Sequence, residues 1–208
     1  MTRVAVVDYG AGNLRSVENV LSFLGVTAMR VSDPEVLHKA DRIILPGVGG
    51  ASSAMKALRE RCLDDALRDV VRVRGRPFLG ICLGMQLIAD RLVEFGDTKG
   101  LGWIPGNVVS IKDLVNQEII VPHMGWNEVA FSESAKVFQQ GSKTQPFYFC
   151  HSYALDTPDR DCIAGVVHYS VDLVAAVMKD TVFAVQFHPE KSLRGGIELI
   201  RKFLAWQP

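Results

Sequence analysis

The sequence predicts an α/β fold, a three-layer domain in which a mixed central sheet lies between flanking helices. In the first half of the chain, short apolar runs alternate with apolar residues at helical spacing. This pattern is typical of β-α units that feed a parallel sheet buried on both faces. From about Gly106 the pattern changes to several β-rich runs, which predict antiparallel hairpins. We therefore expect one sheet that combines both kinds of pairing.

In the first half, the apolar run Val4–Val7 predicts the first strand. Apolar residues at positions 17, 20, 21 and 24 predict a helix that Gly25 ends. Ile43–Leu45 predicts a second strand, closed by a turn at Pro46-Gly47. Further on we expect a helix over Leu63–Val71, a strand over Phe78–Ile81 and a helix that begins near Leu83.

In the second half, five β-rich runs predict strands: Val108–Ile111, Phe147–Cys150, Ile163–Tyr169, Leu173–Met178 and Val182–Phe187. A last helix is expected over Leu193–Ala205, with apolar residues at 197, 200 and 204 facing the core.

Composition limits the classes of function. The chain has 208 residues, and its 23 basic and 23 acidic residues balance to a formal net charge of zero. That length suits one sizeable core, so we expect residues 1–208 to form a single domain. No basic run indicates a nucleic-acid or membrane surface. No apolar stretch has the length of a membrane span, and the run before Asp8 is too short for a signal peptide, so a cytoplasmic location is expected.

The four cysteines are spaced neither as a zinc site nor as a secreted disulfide scaffold, so we expect reduced thiols and no metal. No motif indicates an organic cofactor. A small molecule or another protein is the expected partner.

Cys82 lies between two glycines, in Gly80-Ile81-Cys82-Leu83-Gly84, where a predicted strand meets a predicted helix. This arrangement is similar to the nucleophile elbow of hydrolases, with sulfur in place of oxygen. At a helix N-terminus the partial positive charge favours a thiolate, and the Leu83 N–H would face a developing oxyanion. A lone cysteine is more often a buried structural residue, so the assignment needs a base nearby.

His188 and Glu190 follow a strongly apolar strand in Gln186-Phe187-His188-Pro189-Glu190. Residues two apart on an extended chain point to the same side, and Pro189 should stop strand pairing. His188 could therefore take the thiol proton while Glu190 orients the ring. The other four histidines lack a carboxylate two residues after an apolar strand.

Together, the segments 80–86 and 186–190 resemble the class I (triad) glutamine amidotransferases. Further segments are similar to the glutaminase subunits of imidazole glycerol phosphate synthase, namely 8–16, 46–49, 122–127, 148–153 and 191–192. The resemblance implies the class I fold, a nucleophile Cys82, a general acid/base His188 and an orienting Glu190. The substrate would be glutamine, hydrolysed to glutamate and ammonia.

The resemblance also implies roles for residues outside the triad. Val48 and Gly49 would lie in an oxyanion strand that donates only when a partner is engaged, and Gln86 and Glu94 would hold the amino-acid end of glutamine. Four residues would form the partner interface and ammonia gate: Asn13, Trp126, Tyr148 and Lys191.

The implied partner is a β/α-barrel cyclase that uses the ammonia in histidine biosynthesis. Three alternatives stay open: a paralogous glutaminase serving a different barrel, as in surface-polysaccharide amidination; a free-standing cysteine hydrolase; and a non-catalytic binding subunit. The sequence departs from the usual family pattern at Gly50-Ala51, Leu92-Val93 and Tyr169-Ser170.

Overall fold

A computed structural model describes residues 2–115, 118–139, 141 and 144–208. Its strands are β1 (Val4–Val7), β2 (Ala28–Val31), β3 (Arg42–Gly47), β4 (Phe78–Cys82), β5 (Ala89–Leu92), β6 (Thr98–Lys99), β7 (Ile104–Ser110), β8 (His123–Phe131), β9 (Thr144–His151), β10 (Tyr153–Asp156), β11 (Ile163–Tyr169), β12 (Val171–Lys179) and β13 (Val182–Val185). Its α-helices are α1 (Leu14–Phe23), α2 (Pro34–Leu37), α3 (Ala51–Glu60), α4 (Leu63–Leu67), α5 (Leu83–Gln86) and α6 (Leu193–Ala205).

The main sheet has the order β2-β1-β3-β4-β13-β12-β11-β8-β9. Pairing is parallel from β2 to β13 and antiparallel from β13 to β9, so the predicted mixed sheet is confirmed. The parallel strands β1, β3, β4 and β13 are buried along their whole length. Strands covered on both faces need such continuous apolar runs. A smaller sheet has the order β10-β7-β5-β6.

Alternate residues of β1 face opposite sides of the main sheet. Ala5 and Val7 pack into one hydrophobic cluster with α3 and α4, whereas Val4 and Val6 pack into another with α1 and α6. The period of two residues along a strand requires this division. Two apolar layers around one sheet give the three-layer α/β architecture that the sequence predicts.

Several predicted elements have the expected bounds, and others need correction. The strands at Val4–Val7 and Ile163–Tyr169 and the helix at Leu193–Ala205 are confirmed. The expected turn at Pro46-Gly47 is wrong, because both residues pair with β4 inside β3. Pairing of β3 with β1 ends at Ile44, so Pro46 has a strand neighbour on only one side. A proline, which lacks the N–H, is tolerated at such an edge position.

Three further boundaries differ from the expectation. The helix expected near Leu83 is a single turn that ends at Gln86. The last strand ends at Val185 rather than Phe187, and Ile111 starts a 3₁₀ turn rather than ending β7. The helix from Leu63 continues beyond α4 as a π-helical segment, Arg68–Val73. Sequence analysis did not predict seven elements: α2, α3, β2, β5, β6, β8 and β10.

No helix in the part of the chain that the structure describes is long and apolar enough to span a membrane.

Candidate active site

Cys82 lies at the sharp turn between β4 and α5. Its backbone has φ 54° and ψ −108°, a conformation that residues other than glycine rarely adopt. Such strain persists only where the surrounding structure enforces it, and it is common at functional sites. The turn presents the sulfur at the carboxyl end of the parallel strands, where α/β folds bind ligands.

The two glycines of the elbow are required by close packing. A Cβ on Gly84 would overlap the carbonyl oxygen of Leu45 on the neighbouring strand. A Cβ on Gly80 would lie 2.8 Å from the Gly84 carbonyl oxygen and 3.0 Å from the Ala184 side chain. Helix α5 therefore rests directly on the sheet, and its first turn fixes the position of Cys82.

His188 and Glu190 form a buried pair beside Cys82. His188 Nδ1 lies 2.8 Å from Glu190 Oε1, and the two side chains are 4% and 1% exposed. The pairing is confirmed, but the expected extended backbone is wrong. Pro189 instead begins a 3₁₀ turn, Pro189–Lys191, because its fixed φ suits the first position of such a turn, and this turn brings Glu190 against the ring.

Electrostatics favour a charged ring. Burial lowers the pKa of His188, but hydrogen bonds to Cys82 and Glu190 outweigh burial and raise the pKa to about 10. Because Nδ1 is engaged by Glu190, Nε2 is the nitrogen left to face the thiol. The arrangement therefore favours an imidazolium beside a thiolate, the activated form of a cysteine nucleophile.

Backbone contacts hold the His188 segment against β9. The His188 N–H donates to the Tyr148 carbonyl at 2.9 Å, and the Tyr148 N–H donates to Ser192 Oγ at 3.0 Å. Ser192 Oγ in turn donates to the His188 carbonyl at 2.6 Å. The base is thus fixed by main-chain bonds as well as by Glu190. Sequence analysis gave Ser192 no individual role.

Val48, Gly49 and Leu83, the expected oxyanion residues, line the pocket above Cys82. Val48 is 42% exposed, and Gly49 has φ +94° with open space at its Cβ position. Leu83 begins α5, which has only four residues. A helix this short has a small dipole, so the hydrogen bonds around the sulfur matter more to the thiolate than we expected from the sequence.

Gln86 and Glu94 also line the pocket, but each has a structural partner as well. Gln86 Nε2 donates to the Tyr153 carbonyl and to Gln186 Oε1, both at 3.0 Å. Glu94 Oε2 accepts from the Ala51 N–H at 2.6 Å, so one of its oxygens caps α3. A Cβ on Gly50 would lie 3.7 Å from that oxygen, an ordinary contact.

Three of the four expected interface residues lie together beside His188. The Trp126 ring meets the Tyr148 ring edge-on with centroids 6.3 Å apart, and Lys191 Nζ lies 5.8 Å from the Tyr148 ring centre. Trp126 is half exposed. Asn13 does not line the pocket; its side chain accepts a hydrogen bond from Ser16 Oγ at 2.9 Å, just before α1.

The pocket has a volume of about 510 Å³, within the range of small-molecule sites. Beyond the predicted residues, it is lined by Phe95, Pro122, Cys150, His151, Ser152 and Tyr153. Five of these lie in segments 122–127 and 148–153, which already carried the family resemblance. Phe95 follows β5 at positive φ, and nothing in the sequence indicated it.

Two neutral histidines form a hydrogen-bonded chain that begins at the pocket wall, where His151 lies. His151 Nδ1 lies 2.8 Å from the Tyr153 carbonyl, His151 Nε2 lies 2.9 Å from His123 Nδ1, and His123 Nε2 lies 3.4 Å from Asn127 Nδ2. A carbonyl only accepts, so Nδ1 carries the hydrogen in both rings. Burial lowers the pKa of each histidine to about 4. Neither histidine can therefore serve as the positively charged partner of Cys82.

The chain belongs to the class I glutamine amidotransferase family, whose model matches residues 5–206. Within it, the chain is 40% identical to imidazole glycerol phosphate synthase subunit HisH 2 of Vibrio vulnificus strain YJ016, over 98% of this chain and 94% of that one. It is also 40% identical to subunit HisH of Geobacter sulfurreducens, over 98% of each chain.

Solved structures agree on the fold. A structure described as a glutamine amidotransferase matches with a TM-score of 0.74 and 22% identity, over 97% of each chain. A structure of PurLQS from Thermotoga maritima matches with a TM-score of 0.72 and 19% identity, over 98% of each chain.

The close contact at Gly84 gives a prediction for stability. Gly84→Ala should lower the free energy of unfolding by about 3 kcal/mol or more, because the new methyl group must displace the β3 backbone. Gly195→Ala is the control, since a Cβ there lies 3.6 Å from its nearest neighbour. Urea denaturation of both variants is the measurement. Equal stability of the two would show that α5 does not need this contact.

The neutral histidines predict how stability depends on pH. Unfolded histidine has a pKa near 6.5, so between about pH 4 and 6.5 the unfolded chain binds more protons than the folded one. The free energy of unfolding should therefore fall as the pH is lowered through this range, by up to roughly 1.4 kcal/mol per unit for each histidine. His188 contributes little slope below about pH 5.5, because its raised pKa keeps it protonated in the folded state and unfolded histidine is protonated there as well.

His123→Gln should remove about one histidine's share of that slope, measured by urea denaturation from pH 6.5 to 4.5. His38→Gln, which removes a partly exposed histidine outside this buried chain, is the control and should not reproduce that loss. An unchanged slope in His123→Gln would show that His123 is not held neutral in the folded protein.

Proposed function

We propose that this chain is the glutaminase subunit of an imidazole glycerol phosphate synthase. It would hydrolyse glutamine to glutamate and ammonia and pass the ammonia to a β/α-barrel cyclase in histidine biosynthesis. The observation that carries the proposal is the buried Cys82, His188 and Glu190 constellation in a chain 40% identical to HisH subunits over nearly its full length.

In the proposed reaction, His188 holds the thiol proton and the Cys82 thiolate attacks the side-chain carbonyl carbon of glutamine. The carbonyl oxygen becomes an oxyanion, for which Leu83 and the segment at Val48 and Gly49 are the proposed donors. His188 then gives its proton to the amide nitrogen as the carbon–nitrogen bond breaks, and ammonia leaves.

The product of the first half is a glutamyl thioester and a neutral His188. Water attacks the thioester carbon and gives a proton to His188, and the carbon–sulfur bond breaks to release glutamate and regenerate the thiolate. Glu190 stabilises the imidazolium in both halves and orients the ring. Gln86, Glu94 and the polar groups of Ser152 and Tyr153 are the proposed contacts for the amino-acid end of glutamine.

The exposed aromatic beside the pocket supports a partner-binding face. Met124 and Trp126 lie two residues apart on β8, so they point to the same face of the sheet, and they are 59% and 50% exposed. Trp126 meets Tyr148, and Tyr148 meets Lys191 at the pocket wall, so the apolar surface is continuous with the site. Large exposed apolar side chains around a pocket mark a protein interface. Asn13, Trp126, Tyr148 and Lys191 are the residues we propose at this interface.

The first test is glutamate production from glutamine by the chain alone and with the cyclase and its ribulosyl-phosphate ligand. We expect stimulation by the loaded cyclase, on the order of a hundredfold if one oxyanion donor is completed on association. Cys82→Ala should lower activity by roughly 10⁴-fold or more. Cys62→Ala, at an exposed cysteine that does not line the pocket, should keep wild-type activity.

Full activity without a partner would instead identify a free-standing hydrolase. Stimulation by a different barrel protein and not by the cyclase would identify a paralogous glutaminase. Activity that survives Cys82→Ala would exclude Cys82 as the nucleophile.

The interface gives a separate prediction. Trp126→Ala should weaken cyclase binding by about tenfold or more, because buried aromatic anchors dominate interface energies. Titration calorimetry with the cyclase is the measurement. Phe23→Ala removes an even more exposed aromatic, at the opposite end of α1 from Asn13, and this variant should bind as the wild type does. Equal affinity of the Trp126→Ala variant would place the interface elsewhere.

A further inference from the structure

Gln186 is a buried polar residue that has no part in the proposed mechanism. Its side chain is fully buried, and its N–H donates to the Ala175 carbonyl at 2.8 Å just beyond β13. Its Nε2 lies 3.7 Å from the Cys82 sulfur, within hydrogen-bond range for a sulfur acceptor, and its Oε1 lies 3.0 Å from Gln86 Nε2. Gln186 therefore stands between the nucleophile and a pocket wall residue.

Neighbouring groups fix which end of the Gln186 amide faces the sulfur. The Tyr153 carbonyl can only accept, so the Gln86 group that faces it at 3.0 Å is the NH₂. That same NH₂ faces Gln186, so the Gln186 atom beside it is the carbonyl oxygen. The remaining end of the Gln186 amide, its NH₂, must then face Cys82. One backbone carbonyl thus sets the orientation of both glutamines.

We infer that Gln186 is a positioning residue for the nucleophile, whose side-chain amide donates a hydrogen bond to the Cys82 thiolate and holds the sulfur in place. The catalytic role of this hydrogen bond rests on the proposed function. The hydrogen bond itself follows from the geometry of Gln186, Gln86 and Tyr153.

A neutral amide suits this place chemically. Unlike His188, it cannot take the thiol proton, so it stabilises the thiolate without competing as a base. The Cys150 carbonyl oxygen, 4.0 Å from the sulfur, can only accept a hydrogen bond, so it can pair with the protonated thiol but not with the thiolate. In the second half of the reaction the carbon–sulfur bond breaks and the electron pair returns to sulfur. The Gln186 N–H then stabilises the departing thiolate.

His188 and Tyr9 interact with Cys82, and four more titratable residues line its pocket: Glu94, Cys150, His151 and Lys191. Interaction with Cys82 is one cause of the raised pKa of His188, and the buried Tyr9 hydroxyl lies close enough to interact with the charge of the thiolate. Burial and the nearby thiol raise the pKa of Tyr9, so it stays neutral at physiological pH. Because all of these groups remain in a Gln186 variant, a change in Cys82 alkylation relative to the wild type reports the loss of the Gln186 amide.

The test is the pH dependence of Cys82 alkylation by iodoacetamide, followed on the Cys82 peptide by mass spectrometry. Gln186→Met keeps the volume and removes the donor. It should slow alkylation by about tenfold near neutral pH, as expected for the loss of one hydrogen bond to a charged group. In the glutaminase assay kcat should fall by about the same factor, with a smaller change in KM.

Thr157→Val is the control, because it removes a buried side-chain hydrogen bond that lies away from the pocket. It should leave the alkylation profile unchanged. If Gln186→Met does not fold, as judged by circular dichroism, Gln186→Asn replaces it, since the shorter amide cannot reach the sulfur. A wild-type profile in the folded Gln186 variant, or the same shift in Thr157→Val, would overturn the inference.

Alkylation requires no glutamine, so it separates the two hypotheses. A wild-type chain that does not hydrolyse glutamine with its cyclase would end the proposed function and leave the alkylation result standing. An unshifted profile would end the role of Gln186 and leave the proposed function standing.

Discussion

The geometry of the site depends on the close approach of α5 to β3. Because the Leu45 carbonyl occupies the space where a Gly84 side chain would lie, α5 packs directly on the sheet. The chain must then reverse direction within Cys82, which accounts for its positive φ. A strained residue of this kind costs about 1–3 kcal/mol and needs a rigid frame. Buried parallel strands on both sides of β4 supply that frame.

The same sheet order assembles the rest of the site. Strands β3, β4 and β13 are adjacent and parallel, so the segments that leave their carboxyl ends meet at one edge: Val48-Gly49, Cys82 and His188. The antiparallel half of the chain adds the opposite wall. Its Tyr153 carbonyl accepts from both Gln86 and His151, and this one acceptor fixes the orientation of two buried polar networks.

The sequence predicted the parts of the fold that have strong apolar patterns or distinctive chemistry. Strand β1 and helix α6 have both their type and their bounds as expected, and Cys82, His188 and Glu190 lie together. Helix α3 was missed because half of its buried face is alanine, at positions 51 and 54, which gives a weak apolar signal. Strand β8 was missed because its residues alternate between exposed and partly buried rather than forming an apolar run.

Other features could not be predicted because they depend on packing between distant segments. The orientation of Gln186 depends on a carbonyl 33 positions earlier in the chain. The capping of α3 by Glu94 joins residues 43 positions apart. Each of these is set by hydrogen-bond complementarity in the folded core, which neither periodicity nor local propensity encodes.

The proposed oxyanion strand is held at both ends and has few contacts between them, which indicates where its backbone can change. Gly47 is paired with Cys82, and a Cβ there would lie 2.9 Å from the Leu83 side chain, so the segment is fixed at its start. Glu94 holds Ala51, so it is fixed at its end as well. Between them lie Val48, which is 42% exposed, and two glycines with little around them. Because both ends are held, a partner that contacts Val48 can rotate peptides here without moving β3 or α3. The nucleophile, its base, Gln186 and the Leu83 N–H would then stay in place while the peptides at Val48 and Gly49 change.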